Sequence, residues 1–138
     1  MNLFATKHIT VPDGIEVKPS AIHGRGVFAC KKFKPGAVIE TAPLILLKAA
    51  DKEYLQTTML YHYYFVINSL ETPAALGLGY SSVYNHASKA NALYEISLKK
   101  TALLIKASKE ILPGEEITLN YNGTPDDESP VYFPLENG

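Results

Sequence analysis

Three short segments of the chain contain the side chains whose types and spacing could do chemistry. The first covers residues 23–28, whose sequence HGRGVF places glycines on both sides of Arg25, the only arginine. Glycine allows positive φ and lets a ligand come close to main-chain N–H and C=O groups. A dinucleotide-binding fingerprint would need a third glycine and a following helix. The segment therefore predicts either a plain turn or a loop for another ligand.

The second segment places Asn85, His86 and Asn91 beside the apolar Val83 and Tyr84. Buried Asn and His side chains must be hydrogen-bonded, so these residues either brace a loop or hold a polar ligand. The four histidines share no ligand spacing with one another or with the single cysteine, and a metal site is not expected.

The third segment, residues 114–123, has the sequence GEEITLNYNG and predicts a strand that ends near Tyr121. A tyrosine at the end of a strand usually packs in a core or an interface. Its phenol, with a pKa near 10, could instead donate or accept a hydrogen bond at a reaction centre.

Short apolar stretches separated by Gly and Pro predict the elements that must position these side chains. The helix candidate is residues 51–59, with Asp51 as its N-cap. Residues 60–67 could continue the helix or form a strand, and their aromatic and β-branched content favours a strand. A mostly β domain with one or two short helices is expected. The predicted strands are residues 9–11, 15–17, 26–29, 37–41, 44–47, 92–98, 101–106 and 116–121.

Two turns repeat one pattern, an apolar residue followed by x-Pro-Gly, at Pro35-Gly36 and Pro113-Gly114. Proline at the second turn position and glycine at the third predict type II turns, because proline presets φ and glycine tolerates positive φ. Each turn should start a strand of the same compact domain.

Composition excludes several classes of protein. The 138 residues are 46% hydrophobic, which suits one ordinary domain, and no apolar run approaches the length of a membrane helix. Thirteen basic and fourteen acidic residues leave no basic excess for nucleic-acid binding. A lone Cys30 excludes an intramolecular disulfide. We expect one domain over residues 1–138, intracellular and without a secretion signal, with its motifs in about 15–123 and a tail at 124–138.

The chain after Lys109 is acidic, since residues 110–138 contain seven Asp and Glu and no Lys or Arg. This segment is either a solvated tail or an acidic wall that would steer a basic ligand.

In this order and spacing, the three segments resemble the SET domain of protein lysine methyltransferases. Residues 24–29, GRGVFA, are similar to the family's Gly-x-Gly-Val/Leu-Phe-Ala loop, and residues 85–91, NHASKAN, to its Asn-His-Ser-x-x-Pro-Asn motif. Residues 114–121 are similar to its Gly-Glu-Glu-Ile/Leu-x-x-x-Tyr motif. The chain looks most like the minimal, stand-alone SET proteins of viruses and bacteria.

The resemblance implies a SET (β-clip) fold of small curved sheets with a C-terminal pseudoknot. It also implies S-adenosylmethionine-dependent methyl transfer to the ε-amine of lysine in a protein, such as a histone or another basic protein. The alternative is a non-catalytic SET-like module that binds a peptide or the cofactor. No partner role is expected for nucleic acid or membrane.

The resemblance also implies roles for single residues. Tyr121 and Tyr64 would be catalytic, with Tyr121 orienting the reactants, although Tyr63 or Tyr61 of the same aromatic run could serve in place of Tyr64. The substrate channel would include Tyr63, Tyr94, Leu119, Tyr132 and Phe133. The cofactor would be held by His23, Gly24, Arg25, Gly26, Val27, Phe28, Asn85 and His86.

This chain departs from the family pattern in three respects. Ala87 replaces the usual Ser, and Ala90 replaces the usual Pro before Asn91. The cysteine-rich zinc segment that follows many SET domains is absent from the sequence. The channel would then be closed by Tyr132 and Phe133 of the tail or by a second subunit, so a homodimer is worth testing.

Overall fold

The computed structural model describes residues 11–123 and 126–129. Within these residues the chain forms nine strands, one α-helix and one 3₁₀ turn, which confirms the expectation of a mostly β domain. The helical elements are α1 (Ala49–Leu55) and the 3₁₀ turn Met59–His62. The strands are β1 (Ile15–Pro19), β2 (Arg25–Ala29), β3 (Val38–Leu47), β4 (Tyr64–Val66), β5 (Ala74–Gly77), β6 (Asn85–His86), β7 (Ala92–Ser97), β8 (Ala102–Ala107) and β9 (Glu116–Leu119).

Strand β9 pairs with three other strands of the sheet, β2, β6 and β7. The strands follow the order β1-β2-β9-β7-β8-β3-β5-β4, and β6 also pairs with β9. Strand β9 is antiparallel to β2 but parallel to β6 and β7. Parallel neighbours require a crossover connection. The chain leaves β6, forms β7 and β8, and returns as β9, which brings two distant sequence motifs side by side.

The core lies along these central strands and is filled by branched aliphatic side chains. Val27 of β2 and Ile117 of β9 are both fully buried and occupy paired positions on neighbouring strands. Leu103 and Ile105 of β8 are also fully buried in the same cluster. Burial of such side chains is the main favourable term in folding, and here it holds in place the strands that carry residues of the motifs 24–29 and 114–121.

The two Pro-Gly turns have the predicted geometry. Gly36 and Gly114 have φ values of 84° and 88°, as the third position of a type II turn requires. In each turn, the N–H after the glycine donates to the carbonyl of the residue before the proline, at 3.0 and 3.1 Å. Phe33 and Ile111, each two residues before its proline, exchange both main-chain hydrogen bonds at 2.9 Å. The repeated pattern therefore marks two turns that pair with each other.

The strands predicted at residues 37–41 and 44–47 are in fact the single strand β3. Its first part pairs with β8 as far as Pro43, and its second part pairs with β5 from Leu44 onward. Proline cannot donate a ladder hydrogen bond, and here it lies where the strand changes partner. The proline that predicted a break between two strands therefore marks the point where one continuous strand changes its pairing partner from β8 to β5.

A helix was correctly predicted in this part of the chain, but it spans Ala49–Leu55 and not residues 51–59. The helix α1 begins two residues earlier than expected because the carboxylate of Asp51, at its third position, accepts the main-chain N–H of Lys48 at 3.1 Å. Asp51 is thus not the N-cap. Residues 60–67, for which a strand was favoured, divide between the 3₁₀ turn and β4.

Two strands were not predicted. Strand β5 has the sequence AALG, which lacks the β-branched and aromatic residues typical of strands, and β6 contains only two residues. Of the predicted strand 9–11, residues 9 and 10 lie outside the described part of the chain, and Val11 belongs to no strand.

Candidate functional site

An aromatic cavity of about 200 Å³ lies between β4, the segment before β6, and the ends of β7 and β9. Five residues predicted for the catalytic site and the channel line it together, which the sequence order alone does not require. They are Tyr63, Tyr64, Tyr94, Leu119 and Tyr121. Tyr132 and Phe133, which were also predicted for the channel, lie outside the described residues.

Tyr121 connects the cavity to the Asn-His motif. Its hydroxyl donates to the main-chain carbonyl of Tyr84 at 2.7 Å, and its main-chain N–H donates to Nδ1 of His86 at 3.1 Å. The rings of His86 and Tyr121 lie 5.1 Å apart. Burial, together with the neighbouring Tyr63, raises the pKa of Tyr121 to about 12. The phenol is therefore protonated at neutral pH.

The parallel pairing of β6 with β9 produces this contact. Asn85 and His86 pair with Thr118 and Leu119, so His86 lies next to the end of the strand that leads into Tyr121. Asn91 braces the same strand from its other side. Its amide donates to the carbonyl of Glu116 at 2.8 Å and accepts the N–H of Thr118 at 2.9 Å. The Asn91 side chain therefore takes the place of two main-chain hydrogen bonds that a neighbouring strand would make, and it holds β9 in position.

The walls of the cavity are mainly aromatic. Tyr94 packs edge-on against Phe65, with ring centroids 5.1 Å apart, and Tyr64 meets Tyr61 at 5.9 Å in the same manner. Burial raises the pKa of the Tyr94 phenol. Leu119 is only 1% exposed and contributes an apolar surface without a hydroxyl group. A side chain that enters this cavity would meet mainly the faces and edges of aromatic rings.

The Gly-Arg-Gly loop meets the other motif through the Asn85 side chain. The Asn85 amide nitrogen lies 3.0 Å from the carbonyls of both His23 and Arg25, and 2.8 Å from Oε1 of Glu116. Asn85 is itself buried. The amide therefore ties the loop to β6 and β9, and it brings the predicted loop residues and the Asn-His pair together.

Glu116 lies beneath the loop and explains why residue 26 is a glycine. Its carboxylate accepts hydrogen bonds from the Ser20 hydroxyl at 2.7 and 2.9 Å and from Asn85. A Cβ atom at Gly26 would overlap Oε1 of Glu116 and come within 3.1 Å of the Asn85 amide. Only glycine lets the strand pass this close to the carboxylate. Gly24 is different, since its φ of 44° requires glycine while the space around it is open.

The two remaining loop candidates direct their side chains away from this network. Val27 is fully buried in the core, and Phe28 is half-buried with the ammonium group of Lys18 4.6 Å from its ring centroid. Any contact of Val27 with a ligand would therefore come from its main chain.

Several residues that line the cavity or bond beneath the Gly-Arg-Gly loop were not predicted as site residues. Glu116 belongs to the motif of residues 114–121, Tyr84 directly precedes the Asn-His pair, and His62 lies in the aromatic stretch 60–67, so a signal was present for these. Nothing in the sequence marked Ser20, whose partner Glu116 is 96 residues away. The other unpredicted lining residues are Phe65, Val66, Ser81 and Ser82.

Part of the tail is held beside the site. The amide of Asn120 donates to the carbonyl of Ser88 at 3.1 Å and to that of Asp127 at 2.6 Å. Asn122 donates to the carbonyl of Ser129 at 2.8 Å. These bonds fix residues 126–129 against the loop that follows β6, near Tyr121.

The family model of the SET domain matches residues 24–122. The chain therefore belongs to the SET domain family, and the resemblance read from its three motifs is confirmed. In the described residues, no helix is long and apolar enough to cross a membrane. Across residues 11–123 and 126–129, no group of three or more His, Cys, Asp or Glu side chains is placed to hold a metal ion.

Individual proteins are also similar to this chain. A Schizosaccharomyces pombe histone-lysine N-methyltransferase, specific for lysine 37 of histone H3, is 28% identical over 108 residues, covering 78% of this chain and 72% of that protein. A crystal structure of a Plasmodium falciparum protein assigned as a histone methyltransferase has a TM-score of 0.66 at 25% identity, covering 82% of this chain and 95% of that chain. An apo structure of the ctPRC2 complex with a mutated Ezh2 has a TM-score of 0.65 at 21% identity, covering 81% of this chain and 15% of that chain, and shows the fold alone.

Proposed function

We propose that this protein is a lysine N-methyltransferase that transfers a methyl group from S-adenosylmethionine to the ε-amine of a lysine in a protein substrate. One observation carries the proposal. Tyr121 lies at the wall of an aromatic cavity and is bonded both to His86 of the Asn-His motif and to the carbonyl of Tyr84. Membership of the SET family and the named histone methyltransferases among its relatives support lysine as the methyl acceptor.

The residues beside the Gly-Arg-Gly loop fit the cofactor. The carbonyls of His23 and Arg25 and the Glu116 carboxylate are acceptors suited to an ammonium group, and the main chain at Gly24 is open to a ligand. These groups, with Asn85 and His86, would hold S-adenosylmethionine. When bound, it supplies the methyl group as part of a sulfonium ion.

The cavity prepares the lysine for reaction. A lysine side chain that enters between Tyr64, Tyr94 and Tyr121 loses water, which disfavours its charged form and lowers its pKa. The neutral amine has the lone pair that would form the new bond to the methyl carbon. As that C–N bond forms, the methyl–sulfur bond breaks and the sulfur leaves as a neutral thioether. The ring faces attract a methylated ammonium group by cation–π interaction. Alignment of the two reactants within attack distance supplies up to about 7–11 kcal/mol of the barrier reduction.

Tyr121 orients the amine and does not act as a general base. Its O–H donates to the Tyr84 carbonyl, which fixes the direction of the phenol, and a phenol oxygen is also able to accept a hydrogen bond from an amine. A phenol with a pKa of about 12 keeps its proton at neutral pH. The amine proton is therefore lost to solvent before the amine is fully seated.

The substrate is proposed to be a basic segment of a histone or another lysine-rich protein. The acidic residues 126–128 lie beside the bonds that hold the tail near the cavity, and they would attract such a segment. A second subunit that completes the channel, and an intracellular place of action, remain predictions.

The test is incubation of the purified full chain with isotopically labelled S-adenosylmethionine and histone or ribosomal proteins. We expect label on lysine, and we expect Tyr121→Phe and His86→Ala to reduce the transfer strongly. Tyr54→Phe is the matched control, because Tyr54 is 78% exposed on α1 and does not line the cavity. Cofactor binding without transfer to any lysine in a broad protein lysate would instead identify a non-catalytic binding module.

A further inference from the structure

Glu40 of β3 is a buried carboxylate outside the cavity. Its side chain is only 4% exposed, and none of the ion pairs formed by residues 11–123 and 126–129 includes it. Burial of a carboxylate is costly unless hydrogen bonds replace its water. A fold that retains such a group has to satisfy it, and its partners indicate what it holds in place.

Among the described residues, the hydrogen-bond partners of the Glu40 carboxylate belong to one short segment. Oε2 accepts the main-chain N–H of Tyr80 at 2.9 Å, and Oε1 accepts the hydroxyl of Tyr84 at 2.8 Å. Gly79 has a φ of 67°, and a Cβ atom there would lie 2.5 Å from Oε2. The carboxylate thus fixes the chain at residues 79, 80 and 84, immediately before Asn85.

Tyr84 extends this contact to the cavity. Its ring is 1% exposed, so the hydroxyl has no water to replace Glu40. Its own carbonyl accepts the hydroxyl of Tyr121 at 2.7 Å. Tyr84 therefore links the buried carboxylate of Glu40 to the phenol of Tyr121. Its hydroxyl makes a charge-assisted hydrogen bond to Glu40, and its carbonyl accepts an ordinary one from Tyr121.

We propose that Glu40 and Tyr84 are positioning residues, whose hydrogen bond fixes the main-chain carbonyl that orients the Tyr121 phenol for methyl transfer. The inference deepens the proposed function and rests on it. Neither residue touches the substrate lysine through its polar end. Both residues would act by fixing the direction of the Tyr121 hydroxyl group. Their loss should therefore lower the rate of methyl transfer more than the affinity for the peptide or the cofactor.

The test uses Tyr84→Phe, which removes only the hydroxyl group, and Tyr80→Phe as its matched control. Tyr80 lies on the same segment, but it is held to Glu40 through its main-chain N–H and not through its phenol. We expect Tyr84→Phe to lower kcat by roughly tenfold, as misplacement of a reacting group does. The peptide KM and the cofactor Kd should stay within about twofold, and Tyr80→Phe should match the unaltered protein.

A second variant separates positioning from stability. Tyr84→Phe leaves the carboxylate without one donor, so the unfolding midpoint should fall. Addition of Glu40→Gln removes the buried charge and should recover part of the midpoint while kcat per folded molecule stays low. Recovery of kcat together with the midpoint would mean that Glu40 and Tyr84 act on stability alone and would overturn the inference.

A third measurement does not depend on activity. In protein labelled with ¹³C-tyrosine, the ring signal of Tyr121 is identified by its loss in Tyr121→Phe. It should shift more in Tyr84→Phe than in Tyr80→Phe. If the unaltered protein transfers no methyl group but the Tyr121 signal shifts as expected, the proposed function fails and the coupling stands. Equal shifts in the two variants would overturn the coupling, whether or not the protein is active.

Discussion

The main-chain N–H of Tyr121 donates to Nδ1 of His86 at 3.1 Å, so this imidazole nitrogen must be unprotonated in the folded protein. The proton of the neutral ring is then on Nε2. Burial lowers the pKa of His86 below its usual value. Two features thus favour the neutral ring, and both belong to the contact between the Asn-His motif and Tyr121.

This contact predicts a loss of stability in mild acid. The pKa of His86 in the unfolded chain is about 6.5, and its value in the folded protein is lower. The unfolded chain therefore binds a proton first as the pH falls. Stability is fully present above about pH 6.5 and decreases between that pH and the lower folded pKa. The unfolding midpoint measured across this window should show this slope.

His86→Gln is the variant for this measurement, because an amide oxygen can still accept the Tyr121 N–H and does not titrate. It should reduce the slope below about pH 6.5. An unchanged slope in His86→Gln would assign the effect to another group. Methyl transfer by the unaltered protein should decline in the same pH window.

Gly26 provides a test of the cofactor side of the site. In Gly26→Ala the new methyl group overlaps the Glu116 carboxylate and crowds the Asn85 amide. We expect cofactor affinity to fall by at least about tenfold, because the loop and the Asn-His motif are held together by these two side chains. Stability should fall by about 1–3 kcal/mol.

The matched control for Gly26→Ala is Gly36→Ala. Gly36 also requires glycine, since its φ is 84°, but the space around it is open and it lies in a turn outside the proposed cofactor site. Its substitution should cost about 1 kcal/mol or more in stability and leave cofactor binding as it was. Calorimetric titration with S-adenosylmethionine separates the two variants. Equal affinities would place the cofactor elsewhere.

The sequence predicted the parts of the fold and of the site that depend on local chemistry or on the family pattern. The Pro-Gly pairs near Phe33 and Ile111 fix two turns through φ preferences that any chain must obey, and both turns were correct. The family pattern then indicated which tyrosines to expect around the cavity. The grouping of Tyr94 with Tyr121 at one cavity followed from that pattern and not from their spacing.

The parts that sequence did not predict depend on contacts between distant residues. No local rule joins Ser20 to Glu116, or Glu40 to Tyr84, because each pair forms only after separate strands have come together. The break expected at Pro43 failed for the same reason. A proline usually interrupts a strand, but here the neighbouring strand changes at that residue. Such contacts appear only when the sheet order is known.

Leu119 predicts how many methyl groups are added. It lines the cavity beside Tyr121 and carries no hydroxyl group to hold a water molecule or restrain a methylated amine. We expect transfer beyond the first methyl group, and mass spectrometry of a lysine peptide should show di- or trimethylated product. Leu119→Tyr adds a phenol and should shift the product towards monomethylation.

Leu119→Met is the control for this substitution, since it keeps a similar volume and adds no hydroxyl group. Its product distribution should match that of the unaltered protein. Predominant monomethylation by the unaltered protein would contradict the expectation and point to the Tyr94 phenol as the restraint. Tyr94→Phe should then release the second methylation.

The acidic residues 126–128 of the tail have different surroundings and different proposed roles. The Asp127 side chain accepts the main-chain N–H of Ser129 at 2.8 Å, and the bonds to Ser129 hold the pKa of this carboxyl below its usual range. Asp127 thus shapes the tail. Asp126 and Glu128 are exposed and able to meet a basic peptide. In the double variant Asp126→Asn/Glu128→Gln, peptide binding at low salt should weaken by about threefold to tenfold, because exposed charges act mainly through long-range attraction.

A matched pair of neutral substitutions shows whether position or total charge matters. Glu53→Gln/Glu71→Gln removes the same charge from exposed positions that do not line the cavity. It should leave peptide affinity close to that of the unaltered protein, and cofactor affinity should be equal in all three proteins. The difference between the two double variants should shrink as salt rises, since screening shortens the reach of surface charges to about 8–10 Å. Equal peptide affinities at low salt would instead describe residues 126–128 as a solvated tail without a part in substrate binding.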